Sequence, residues 1–116
     1  MRKELRAQLS EALLPHMAGE EASIFAYMQR SDDAEAVTGA LEAVQEHHVA
    51  RLVLAEIMDL SLDSEVFSAK AAVLAEMNEH HMQEEEGGHF PWLEKHTPKE
   101  QLDGLFEEYT KAEKSA

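Results

Sequence analysis

Apolar side chains recur at three- and four-residue steps along most of the chain, the period that lines up one face of an α-helix. In the first segment, about residues 2–30, the stripe is Leu5, Leu9, Ala12, Leu13, His16, Glu20, Ile24 and Met28. Pro15 lies inside it. Proline removes a backbone donor and crowds the carbonyl of Glu11, which predicts a kink or break near Leu14. Ser31-Asp32-Asp33 marks a boundary, and Asp32 with Glu35 has the spacing of a capping box. A second stripe, Leu41, Val44, His47 or His48, Leu52, Ala55 and Met58, predicts a helix to about Leu60.

After the polar turn Ser61-Leu62-Asp63-Ser64, a third helix is expected from about Glu65, carrying Phe67, Val73, Leu74, Met77, His81 and Glu85. Gly87-Gly88 and Pro91 predict a kink or an end there. Thr97, Pro98 and Glu100 make a start signal for a last, shorter helix with Leu102, Leu105, Phe106 and Tyr109 on one face. No alternating strand pattern competes, and glycine and proline are scarce at five and three. The expected fold is all-α: one domain over residues 1–116, an antiparallel bundle of three long helices and a shorter C-terminal one.

Composition narrows the function. Lys and Arg number 10 against 24 Asp and Glu, a formal charge of −14. Phosphate recognition needs a basic patch and none is visible, so nucleic acid is not an expected partner. No run approaches the ~20 apolar residues of a membrane helix, so no membrane partner is expected either. The opening Met1-Arg2-Lys3-Glu4-Leu5-Arg6 lacks a signal peptide's apolar core, and a cytoplasmic protein is expected. Without cysteine, a disulfide framework, a thiolate metal site and a thiol nucleophile are excluded. No Ser/His/Asp arrangement or glycine-rich phosphate loop nominates a catalytic residue, and the reading leans away from an enzyme. What stands out is seven histidines in so acidic a chain.

Two segments share the frame His-Met-x-x-Glu-Glu-x-x-x-Phe, one from His16 to Phe25 and one from His81 to Phe90. Residues four apart on a helix lie one turn above each other, so His16 with Glu20, and His81 with Glu85, each aim at one spot. Mixed imidazole and carboxylate donors suit a first-row transition metal, whereas calcium prefers oxygen alone. Between these segments, Glu46-His47-His48 adds imidazole, but neighbouring helical residues are turned about 100° apart, so at most one of the two histidines faces the bundle axis. His80 and His48 read as neighbours of the site or as surface. His89 and His96 fall outside the repeated frame and read as surface. Phe25 and Phe90 are expected beside the site, limiting water access.

The segments "LPHMAGEEASIF", "EHHVARLVLAEI" and "EHHMQEEEGGHFPWL" resemble hemerythrin-type HHE cation-binding domains over about residues 5–95. The most specific block is His80-His81-x-x-x-Glu85-Glu86, ending in Phe90-Pro91. The resemblance implies an antiparallel bundle around a non-haem di-iron centre, with His16, Glu20, His81 and Glu85 as ligands and the two carboxylates as bridges. For the helix between, it favours His47, because Arg51 and Leu54 fall at the family's basic and apolar positions; His48 stays open as the alternative. It implies mono- or dinuclear iron, with manganese or zinc suited to the same donors. It also implies a small ligand such as dioxygen, nitric oxide or peroxide to bind or sense, or iron to handle. The family's first helix has no counterpart before His16, so a homodimer that completes the bundle or shares the site is expected. The competing reading is a metal-free helical interaction or regulatory module that keeps the fold.

Overall fold

The structure is a computed structural model and describes residues 1–116. It is built of helices joined by short turns, with no strand. Pro15 does not break the first helix: α1 runs through it from Arg2 to Ala22. The break falls instead at Ser23, with φ −118° and ψ −93°, where the Ser23 hydroxyl donates to the Gly19 carbonyl at 2.7 Å. A serine bonding back four residues competes with the backbone ladder and bends it. The column resumes as α2, Ile24–Gln29.

Helix α3 spans Ala34–Asp59 and is capped by Asp33, one residue beyond the expected Asp32. The Asp33 carboxylate accepts from the amides of Glu35 and Ala36 at 3.0 and 3.4 Å. Its buried face is Ala36, Ala40, Ala43, His47, Leu54 and Ile57, while the expected Leu41, Leu52 and Met58 are exposed. Short side chains let helix axes approach closely, so α3 turns its alanines inward and its larger apolar residues out.

Helix α4, Phe67–Glu84, passes through a π-helical turn, Glu85–His89, into α5, Phe90–His96. The Phe90 N–H reaches back five residues to the Glu85 carbonyl. This wider turn carries the column past Pro91, whose ring would otherwise crowd Gly87, so the expected kink or end is a π-bulge. At the next boundary the capping box does not form. Thr97 is extended and ends α5, its hydroxyl buried without a partner, and Pro98 directly precedes α6, Lys99–Ser115.

Four columns result: α1–α2, α3, α4–π–α5, and α6. Helix α1 packs against both α3 and α6, and α3 against α4. The fourth column therefore comes from the C-terminal end of the same chain, and no second copy is needed to supply it. Two apolar clusters hold the columns together. One contains Phe25, Met28, Ala36, Ala40, Ala43, Leu93 and Leu105; the other contains Leu13, Met17, Leu54, Ile57, Phe67 and Leu74. Each fully buried Leu, Ile, Phe or Met contributes roughly 1.5–3 kcal/mol. Along α1, α3 and α4 the positions between these clusters are polar, and that buried layer is the site.

Candidate metal centre

Glu20 stands at the centre of the layer, one turn above His16 on α1. Its Oε1 lies 3.4 Å from Nε2 of His16, 3.2 Å from Nε2 of His47 and 3.4 Å from Nε2 of His81. His81 Nε2 is also 3.4 Å from Oε1 of Glu85, and the Nε2 atoms of His47 and His81 face each other at 3.0 Å. All five residues singled out from the sequence thus meet in one layer. Their donor atoms form two overlapping triads, Glu20 with His47 and His81, and His16 with Glu20 and Glu85, able to hold a metal ion. Of the two adjacent histidines on α3, His47 is the one inside; His48 faces solvent.

Each histidine presents Nε2 to this centre and Nδ1 to a polar group behind it. Nδ1 of His47 is 2.7 Å from Oε2 of Glu21, which also accepts from Arg51 Nη1 at 2.7 Å. Nδ1 of His81 lies 3.5 Å from Oε1 of Glu46. Nδ1 of His16 lies 2.7 Å from the Tyr109 hydroxyl, which donates onward to Glu113 at 3.3 Å. At His16 and His47 an acceptor at Nδ1 places the ring proton there and leaves the Nε2 lone pair free, the arrangement that orients metal-ligating histidines. At His81 the Glu46 carboxylate faces Nδ1 without a hydrogen bond.

Glu20 shifts with His16 and His81. Burial pushes the Glu20 carboxyl up, but hydrogen bonds from His16, His47 and His81 outweigh it and hold the group well below the usual range. The bond to Glu20 raises His16 against the opposing effect of burial. Burial lowers His81, and the neighbouring Glu20 and Glu46 carboxylates more than reverse it. Tyr109 is pushed up to about 12 by burial and by the charge of Glu113, so its hydroxyl keeps its proton. The donor set fits a cation for a further reason. Glu85 Oε2 is buried with no partner, and of two Nε2 atoms facing at 3.0 Å at most one bears a proton in neutral rings. Such a surplus of lone pairs in a dry layer is what a bound metal ion neutralises.

Phe25, wholly buried, closes one side of the layer, its ring centroid 5.6 Å from that of His47 and 6.0 Å from that of His81. On the α6 side the layer is open. The His16 side chain is 41% exposed and borders a surface cavity of about 270 Å³ lined by Ile24, Phe90, Leu102, Phe106 and Tyr109. Phe90 thus lines the approach and does not seal the site.

Several contributors escape the repeated frame. Glu21 and Glu46 adjoin predicted ligands, but nothing local distinguishes an orienting carboxylate from a solvated one. Tyr109 comes from a distant helix. His89, expected at the surface, is buried in the π-turn, with its ring 5.4 Å from Phe25 and against Gly39, where a Cβ would meet its Cε1 at 3.3 Å. Burial and the nearby His81 hold it below the ordinary histidine value. The i, i+4, i+8 spacing of His81, Glu85 and His89 is the signal that places it inward. His96 is exposed and stacked on Trp92, with centroids 4.9 Å apart.

The family model of the hemerythrin HHE cation binding domain matches residues 1–93. The chain belongs to that family. No curated protein and no solved structure matches it. Helix α6, with Tyr109, lies beyond the matched residues. No helix is long and apolar enough to cross a membrane.

Proposed function

We propose that the chain is a non-haem iron protein whose mono- or dinuclear centre is held by His16, Glu20, His47, His81 and Glu85. Its task is to bind or sense dioxygen, nitric oxide or peroxide, or to handle iron. The observation that carries this reading is the convergence of three Nε2 atoms on one buried carboxylate oxygen, each within 3.4 Å of it. Membership of a cation-binding family supports it. Two triads sharing Glu20 favour a pair of ions over one. Iron held there supplies redox chemistry and open coordination positions. The chain's own residues do the rest: Phe25 keeps water from one side, while His16 and the cavity beside it give a small ligand its approach.

Absorption spectroscopy of the iron-loaded chain tests the ligand reading. Dioxygen or nitric oxide added to the anaerobic ferrous protein should produce a charge-transfer band in the wild type and none in His81→Ala. An unchanged wild-type spectrum with both gases overturns it. Manganese and zinc suit the same donors and serve as spectroscopic controls.

The homodimer has a ground of its own, independent of bundle closure. Leu41 and Val49 of α3 and Val73 of α4 are all exposed, apolar side chains that a second copy would cover. Sedimentation at micromolar concentration should find two chains per particle, and a monomer overturns the proposal.

A further inference from the structure

A second group of donors lies outside the five-residue layer. Glu46 on α3 and His80 and Glu84 on α4 bring two carboxylate oxygens and one imidazole nitrogen within 4.8 Å of one another. His80 and Glu84 are a turn apart, with Nε2 3.1 Å from Oε1, and Glu46 reaches them from the neighbouring helix. We infer that these three residues form an outer, exchangeable site for a first-row divalent cation, distinct from the inner centre.

Acidic side chains on a helical surface ordinarily turn their oxygens to water. Here Oε1 of Glu46 and Oε1 of Glu84 are both sealed from solvent without a hydrogen-bond partner; the His80 nitrogen is close to Glu84 but makes no hydrogen bond to it. Two carboxylate oxygens sealed close together repel each other unless a cation or a shared proton lies between them. A further observation comes from His81, 5% exposed, whose Nδ1 has no hydrogen-bond partner and lies 3.5 Å from Oε1 of Glu46. Glu46 therefore stands between the two groups, facing a residue of the inner layer on one side and the outer pair on the other. One nitrogen and two oxygens suit manganese, ferrous iron or zinc, with water completing the shell. The His80 side chain is 67% exposed, so an ion there exchanges with solvent far more readily than one in the inner layer.

Manganese(II) titration of the full-length chain, with free ion counted by electron paramagnetic resonance, tests the site. The wild type should show a tighter and a weaker class of bound manganese. His80→Ala and Glu84→Gln, both on partly exposed side chains and checked by circular dichroism, should each weaken the weaker class roughly tenfold or more and keep the tighter one. Glu85→Ala should do the reverse. A weaker class lost in His80→Ala but unaffected by Glu85→Ala supports the outer site even if no tighter class exists. Binding curves for His80→Ala and Glu84→Gln that superimpose on the wild type overturn it, and identify the sealed carboxylates as a pair sharing a proton.

Discussion

The Tyr109 hydroxyl lies 2.7 Å from Nδ1 of His16, joining the C-terminal helix directly to the buried polar layer. Because the Tyr109 O–H donates to the Glu113 carboxylate, the phenol oxygen accepts from the imidazole and leaves Nε2 of His16 free. Tyr109→Phe should keep the fold, cost about 1 kcal/mol of stability, and lower metal affinity roughly 10–100-fold. Equilibrium dialysis against iron(II) or manganese(II) checks this. An unchanged affinity would remove Tyr109 from the site.

Tyr109 reaches His16 only because residue 19 has no side chain. A Cβ on Gly19 would stand 2.7 Å from the Tyr109 ring, too close without displacing α6. Gly19→Ala should therefore destabilise the chain by about 1–3 kcal/mol. In a Tyr109→Ala background the same change should become neutral or stabilising by up to ~1 kcal/mol, since alanine favours a helix over glycine. Denaturant melts of the four variants measure the coupling. Equal effects of Gly19→Ala in both backgrounds would contradict the contact.

Two neighbouring leucines on α3 test which face is inward. Leu54 is 3% exposed and Leu52 54%. Leu54→Ala should cost about 2–5 kcal/mol, and Leu52→Ala about 0.5 kcal/mol or less. Comparable losses in urea unfolding would mean that α3 is rotated from its position here.

Helical spacing makes much of this site legible in the sequence. His16 with Glu20 and His81 with Glu85 are local facts of a 3.6-residue period, and the period also reveals the columns. Local pattern does not tell how the columns meet. Choosing His47 over His48 depends on α3 turning Ala36, Ala40 and Ala43 inward, whereas the larger Leu41, Leu52 and Met58 suggest another face. Tyr109 contacts His16 across most of the chain, and no spacing rule reaches that far. The break at Ser23 and the passage through Pro15 follow from one hydroxyl bonding backward and from a helix long enough to lose one donor. The π-turn reconciles Pro91 with an unbroken column, a solution that the Gly-Gly-x-x-Pro pattern signals only as irregularity.

The pH dependence follows from the same charges. His16 and His81 have folded values above the ordinary 6.5, so they bind protons more tightly folded than unfolded. Their stabilisation is complete below about pH 6.5 and is lost as pH rises through the folded values. Glu20 is depressed below its ordinary 4.5, so its share is present above that pH and lost as pH falls through the folded value. His89, held low, works in the opposite sense to the other two histidines, so the informative quantity is a difference between variants. With chelator present, wild-type Tm should fall more steeply from about pH 6.5 upward than Tm of Glu20→Gln. Parallel curves would contradict the pairing. Metal binding, which needs the histidines deprotonated, should strengthen over the same window.

Iron content per chain decides whether the layer around Glu20 holds metal. After anaerobic reconstitution with iron(II) and removal of unbound ion, about one to two irons per wild-type chain are expected. Glu20→Ala and His81→Ala should retain only a small fraction of that, while the exposed His96→Ala retains it all. Less than about a tenth of an iron per wild-type chain, or equal losses in His96→Ala and His81→Ala, would mean that the layer is not a metal centre.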